Sequence, residues 1–406
     1  MNDPRAELRR FEVRLARVCA AARMLPAITP RNAASERARL LTCIERGESP
    51  TPNWQYAPTR IAAAAFHLID ELRAQTSSLP AEALHQDKLD ELELELRLID
   101  AVGRPRRVRE LARRRFGTGA REAPTAQGPV ALGKYARSVL DQVAPDEEPR
   151  SLPAEGPQAS LAAVVRSVAR EAGLAVAVRV DPSLAACAAS AEGTVYVADR
   201  AVGPREAMRL AIHEVLGHLV SAAQGRRQPL RILEWGTAGA FADQEGVALV
   251  LEHLHGLLDG TRLRTLAARV VATDCVHAGA SFGDTARRLH REEGFSAAAA
   301  VAIAERAYRG GGVARDASYL FGWLRVRDAL ERGVCTLDEL RLGRVGLDAV
   351  PRVRELVREG WALPARVLSA RVAPNFSRNF CSTSGGTTPP KSPPRAAASL
   401  IRLELT

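Results

Sequence analysis

His213-Glu214-Val215-Leu216-Gly217-His218 constrains the fold of this chain more than any other stretch, because it sets two imidazoles five positions apart around a carboxylate. A zinc-binding helix ordinarily carries H-E-x-x-H, whose histidines are four apart and share one face. At about 100° per residue, five positions leave two side chains about 140° apart on a regular α-helix. One wider π-type turn brings them back to within about 50° of each other, and such turns are frequent at functional sites. Gly217 lies inside the turn, where a residue without a side chain gives the backbone most freedom. The spacing therefore predicts H-E-x-x-x-H on a locally widened helix. Taken alone, the hexad leaves two readings open: zinc ligands around a general base, or two buried histidines beside a surface glutamate.

A third ligand separates these readings. Catalytic zinc takes three protein ligands and keeps one position for water. Glu245, in Gln244-Glu245-Gly246-Val247-Ala248, follows His218 by 27 residues and lies in a stretch that reads as helix from about Phe241 to Leu258. Breaks at Gln224–Pro229 and Gly236–Gly239 supply the reversal that would return Glu245 on an antiparallel neighbouring helix. By itself Glu245 would be an ordinary solvated helix residue. Joined to the hexad, it reads as the third ligand.

Several ordered motifs carry a family resemblance. HEVLGH, the following GRRQPLRIL, QEGVA and the later AYRGGGVARDASYLFG together resemble the proteins named for a QEGLA motif. Bacterial members of that family are labelled flavohaemoglobin-expression-modulating, and animal relatives are microtubule-associated tyrosine carboxypeptidases. The similarity runs from about Leu161 to about Leu368, and more weakly through the N-terminal part. It implies a zincin-like metallopeptidase that trims a C-terminal aromatic residue, with His213, His218 and Glu245 as zinc ligands and Glu214 as general base. Val247 stands where the family motif has Leu, and Arg315 where it usually has Lys, which turns a point donor into a planar fork. A second family, the dipeptidyl peptidases with HELLGH, matches the hexad alone, which indicates that a five-residue spacing can hold zinc.

On this reading Glu214 takes a proton from water and passes it to the departing amine. The tetrahedral oxyanion needs a further donor, and Tyr308, Arg309, Tyr319 and His277 are the polar residues available for it in the C-terminal half. A carboxypeptidase also needs a cation for the terminal carboxylate, and arginine binds one bidentately. Arg309 and Arg315 flank the triglycine stretch Gly310–Gly312 and are the expected pair, against the plainer reading of surface ion pairs with Asp316 or Glu305. The competing function is a non-catalytic peptide-binding or regulatory protein that keeps the metallopeptidase fold. Such a protein would be expected to lose the base or a ligand, and none is missing here.

Composition bounds the partners. The net charge of +10 suits an acidic peptide or protein C-terminus, although an arginine and alanine bias also follows from a GC-rich genome. The cluster Arg104 to Arg115 is interrupted by Glu110 and has no aromatic platform, so it reads as a solvated helix face and no nucleic acid is expected. The longest apolar runs, such as Ile61 to Phe66, cannot span a bilayer. The start Met-Asn-Asp-Pro-Arg lacks a signal-peptide pattern, and six scattered cysteines suit free thiols, so a cytoplasmic location is expected. The oligomeric state is left open.

The expected class is mainly α with a small β-sheet (α+β). Residues 1–120 read as a helical N-terminal region, with Leu8, Phe11, Leu15 and Val18 spaced for one helix face. The aromatic loop Trp54-Gln55-Tyr56, bracketed by prolines, should pack on the catalytic part. Residues 121–158 read as a linker, 159–369 as the zinc metallopeptidase domain and 370–406 as a disordered tail. Val176–Val180 and Thr194–Val197 alternate as strands, and Thr194–Ala198 reads equally as a partner for extended substrate or as plain sheet core.

Overall fold

The computed structural model describes residues 3–364, except 59–60, 146–148, 157–158, 183, 185 and 192. The tail expected from 370 lies outside them. The chain is mainly helical with two small sheets, in agreement with the expected α+β class. No helix among the described residues is long and apolar enough to cross a membrane.

The N-terminal helices follow their apolar spacing. Asp3 caps Pro4–Ala21 by accepting from the Arg5 N–H, and Leu8, Phe11, Leu15 and Val18 all become buried. Ala63–Arg73 buries Ile69 and Leu72, and Glu82–Asp100 buries Leu89, Leu92 and Leu96. Pro105–Phe116 buries Val108, Leu111, Ala112 and Phe116, while Arg107 pairs along its outer face with Glu110 at 2.7 Å. Trp54 meets Phe282 edge-on at 5.7 Å, and the Tyr56 hydroxyl accepts from the Gly310 N–H at 2.8 Å. The aromatic loop thus packs on the later half of the chain, as expected.

Segment 121–158 is more structured than a linker. It holds an antiparallel pair, β1 (Glu122–Ala123) and β2 (Val130–Ala131), followed by a helix, Leu132–Gln142. Leu132, Tyr135, Ala136, Val139 and Leu140 of that helix are buried against Gly260–Ala278. One cluster of buried side chains runs from Leu8 to Ala362, so segments on both sides of the expected boundaries at 120 and 158 contribute to it.

The second sheet has three strands, β3 (Ala177–Val180), β4 (Ala188–Ala191) and β5 (Thr194–Val197), in the order β3-β5-β4. Strand β5 is central, parallel to β3 with Val178 opposite Val195, and antiparallel to β4 with Ala189 opposite Tyr196. Of the two readings of Thr194–Ala198 the sheet-core one holds: both sides of β5 are paired, Val195 and Val197 are buried, and no side is left for substrate. The edge strand that packs against the histidine-bearing turn is β4.

Downstream, Ala240–Leu254 carries Glu245 and lies against Ala317–Glu331. Their backbones touch at Gly246 and Gly322, where a side chain on the first would strike the Gly322 carbonyl and one on the second the Ala242 carbonyl. Both glycines are therefore demanded by helix packing. Ala297–Gly312 is broken at its end, with Arg309 extended (ψ 152°) and Gly310 and Gly311 left-handed (φ 70° and 92°).

Candidate active site

Pro204 begins the helix that carries the hexad, with φ preset for a first turn and Glu206 near the positive end. The helix is α to Ala211, π from Ile212 to Leu219 and α again to Gly225. The Val220 N–H donates to the Val215 carbonyl, five residues back. The widened turn expected from the spacing is present. It brings the Nε2 atoms of His213 and His218 to 3.2 Å, with rings 4.8 Å apart and 80° from coplanar. Gly217 does not have positive φ. Its small size serves a close approach instead: a Cβ there would lie 2.5 Å from the Ala248 Cβ and 2.9 Å from its Cα.

Ala248 sits on the Glu245 helix, so this contact sets the distance between the two elements. Glu245 Oε2 comes to 3.2 Å from His213 Nε2 and 3.5 Å from His218 Nε2. His213, His218 and Glu245 form a group that could hold a metal ion, and all three are mostly or fully buried. Burial alone would lower the His213 pKa, but the hydrogen bonds it donates to Glu245 and Glu252 outweigh it and raise it to about 9. Burial pushes the Glu245 carboxyl up, but His218 and His213 prevail and hold it well below the usual range. Glu214 is buried directly after His213 on the same turn.

Beside this group lies a cluster of arginines. Tyr319 is buried next to Glu245, which adds to burial in raising its pKa to about 12. The guanidinium groups of Arg269 and Arg306 stand 5.2 and 5.8 Å from the Tyr319 ring, and Arg306 donates to its hydroxyl at 3.5 Å. Arg315 stacks on Phe241, one turn before Glu245, at 5.1 Å. Arg309 is 5% exposed and is lowered to about 10 by burial, Arg306 and Arg315. Asp316 answers these charges; Arg306 pairs with it directly, and Arg269 is 3.8 Å away. Four guanidinium groups thus surround one carboxylate, and the Nε atoms of Arg269, Arg309 and Arg315 have no hydrogen-bond partner among the described residues.

A family model described as microtubule-associated tyrosine carboxypeptidase matches residues 44–379. This chain belongs to that family. Membership supports a tyrosine-carboxypeptidase-like function and hence peptide or protein substrates. The match reaches further toward the N-terminus than the motifs do, taking in the Trp54–Tyr56 loop and the helices from Ala63 onward. No curated protein and no solved structure gives a significant match.

The structure divides the residues singled out for substrate. Arg309, Arg315 and Tyr319 meet in the arginine cluster. Tyr308 faces elsewhere: its hydroxyl bonds Thr285 at 2.6 Å, donates to the Ala280 carbonyl at 2.8 Å, and its ring packs on Phe282. Tyr308 thus anchors Ala297–Gly312 to its neighbour, while Arg309, extended where the helix breaks, is buried in the arginine cluster. His277 lies beside Arg109 and Arg113, which with burial lower its pKa to about 4. Sequence reading missed Arg269, Arg306 and Glu252. Only Glu252 carried a signal, standing seven residues and two turns beyond Glu245 on the same helix face.

Proposed function

We propose that the protein is a zinc-dependent carboxypeptidase that removes a C-terminal aromatic residue, tyrosine or phenylalanine, from peptides or proteins. The observation that carries this reading is the meeting of His213, His218 and Glu245 with a buried excess of guanidinium groups around Tyr319. Ligands about 2.0–2.1 Å from a tetrahedral zinc stand about 3.3 Å from one another. The separations among the three donor atoms here, 3.2, 3.2 and 3.5 Å, fit that figure. A bound zinc ion supplies a Lewis acid and lowers the pKa of water to about 7.

The chain's own residues account for the remaining chemistry. Glu214 takes the proton of the attacking water and hands it to the departing amine. Tyr319 keeps its proton well above neutral pH. Because its oxygen already accepts from Arg306, its O–H is left to donate to the developing oxyanion. Arg309 and Arg315 take the terminal carboxylate, since buried guanidinium groups in excess of their carboxylates are costly. A substrate anion relieves that cost. The substrate backbone pairs with edge strand β4 beside the histidine turn, the arrangement of a zincin-like metallopeptidase.

The test compares a peptide ending in free tyrosine with its C-terminal amide, using the wild type and Glu214→Gln. Tyrosine release from the free acid alone, lost in the variant and after chelation, is expected. Equal rates on acid and amide overturn carboxypeptidase activity. Binding without release by the wild type supports the non-catalytic peptide-binding reading.

A further inference from the structure

His213 is gripped from both sides by one helix. Glu245 faces its Nε2, while Glu252, seven residues further along Ala240–Leu254, accepts from its Nδ1 at 2.7 Å. Glu252 is 0% exposed. A carboxylate so deeply buried is sustained only by countercharge, and two arginines supply it. Arg262 donates from Nε to Oε2 at 3.1 Å and from a terminal nitrogen to Oε1 at 3.2 Å, and Arg209 lies 3.7 Å from Oε1. Arg209 precedes His213 by four residues and shares its helix face. Arg262 opens the next helix, Gly260–Ala278. Three helices therefore converge on one carboxylate whose remaining contact is a single imidazole nitrogen. The arginines have only donors to offer, so Glu252 must accept from His213 and cannot donate to it.

We propose that Glu252 is the positioning residue of the metal centre. It holds the proton on His213 Nδ1, so that Nε2, which faces His218 and Glu245, is the nitrogen that gives up its proton to a metal, and it locks the ring angle. The inference rests on the zinc reading, but its subject is the carboxylate behind the ligand. An outer carboxylate of this kind orients a ligating histidine and raises its basicity, and losing it costs about 10–100-fold in metal affinity. A purely structural ion pair with Arg262 and Arg209 would leave metal affinity and tautomer untouched.

The test is zinc affinity of the full chain by competition with a chromogenic chelator, for wild type, Glu252→Gln and Glu252→Asp. Glu252→Gln is expected to bind zinc about 10–100-fold more weakly, and Glu252→Asp, which keeps the charge on a shorter stem, to fall between the two. Wild-type affinity in Glu252→Gln overturns the inference alone. No zinc binding by the wild type overturns the zinc reading and this inference with it. A second measurement needs no variant: in the zinc-loaded wild type, nitrogen-resolved NMR should find an exchange-protected proton on His213 Nδ1. An Nδ1 without a proton overturns the proposal even if Glu252→Gln fails to fold.

Discussion

Gly217→Ala probes the contact that sets the width of the site. The added methyl would stand 2.5 Å from the Ala248 Cβ and 2.9 Å from its Cα, whereas carbons rest at about 3.5–4.0 Å. Relief requires about 1 Å of separation between the histidine helix and the Glu245 helix. Ala248 has no rotamer to change. Nor can its helix retreat freely, because Gly246 lies directly against the Gly322 backbone on the Ala317–Glu331 helix. The strain therefore acts across the gap between His213 and Glu245, opening their 3.2 Å separation to about 4 Å, past the spacing of about 3.3 Å that a tetrahedral zinc ion accepts. Overpacking of this kind costs about 1–3 kcal/mol. At about 2 °C of melting temperature per kcal/mol in a large domain, the expected drop is about 2–6 °C. Thermal unfolding and chelator competition should find both a lower melting temperature and weaker zinc binding. Adding Ala248→Gly should recover part of each, since it removes the nearer of the two clashing carbons. An unchanged melting temperature with wild-type zinc affinity would refute the argument that helix approach, rather than backbone freedom, requires glycine here.

Two further outcomes are expected. Glu214→Gln should retain zinc and the wild-type melting temperature but lose about 10²–10⁴-fold in turnover, the usual share of a general base; turnover near the wild-type value would remove Glu214 from the mechanism. Asp316 should make the protein acid-sensitive. Burial would raise its pKa, but Arg306 and Arg269 prevail and hold it at about 2, below the ordinary 3.8. A carboxyl depressed in the folded state stabilises above its ordinary pKa and loses that contribution as pH falls toward 2. Denaturant unfolding between about pH 5 and pH 2 should cost the wild type about 2 kcal/mol more than Asp316→Asn. Parallel pH profiles would show that Asp316 is not the countercharge of the cluster.

What the sequence by itself determined is what lies within one helix or turn. The five-residue spacing of His213 and His218 could be converted to an angle, and the angle required the π turn now seen at Ile212–Leu219. The N-terminal helices were legible for the same reason, since apolar spacing maps directly onto a buried face. Glu245 was reached by adding a plausible reversal to a motif that lacked a ligand. The tertiary structure decided the rest. Strand alternation identified β5 but carried no information on which strand is central, so the strand considered for substrate proved to be the paired centre of the sheet. Tyr308 and Tyr319 flank the same glycine break in sequence, yet packing spends the hydroxyl of the first on Thr285 and Ala280 and sets the second beside Glu245. Arg269, Arg306 and Asp316 meet only because separate helices pack together. The reason for Gly217 likewise lies across the interface, in Ala248. Covalent neighbours fix angles along a helix, but which groups from distant segments share a buried charge balance depends on the packing of whole elements.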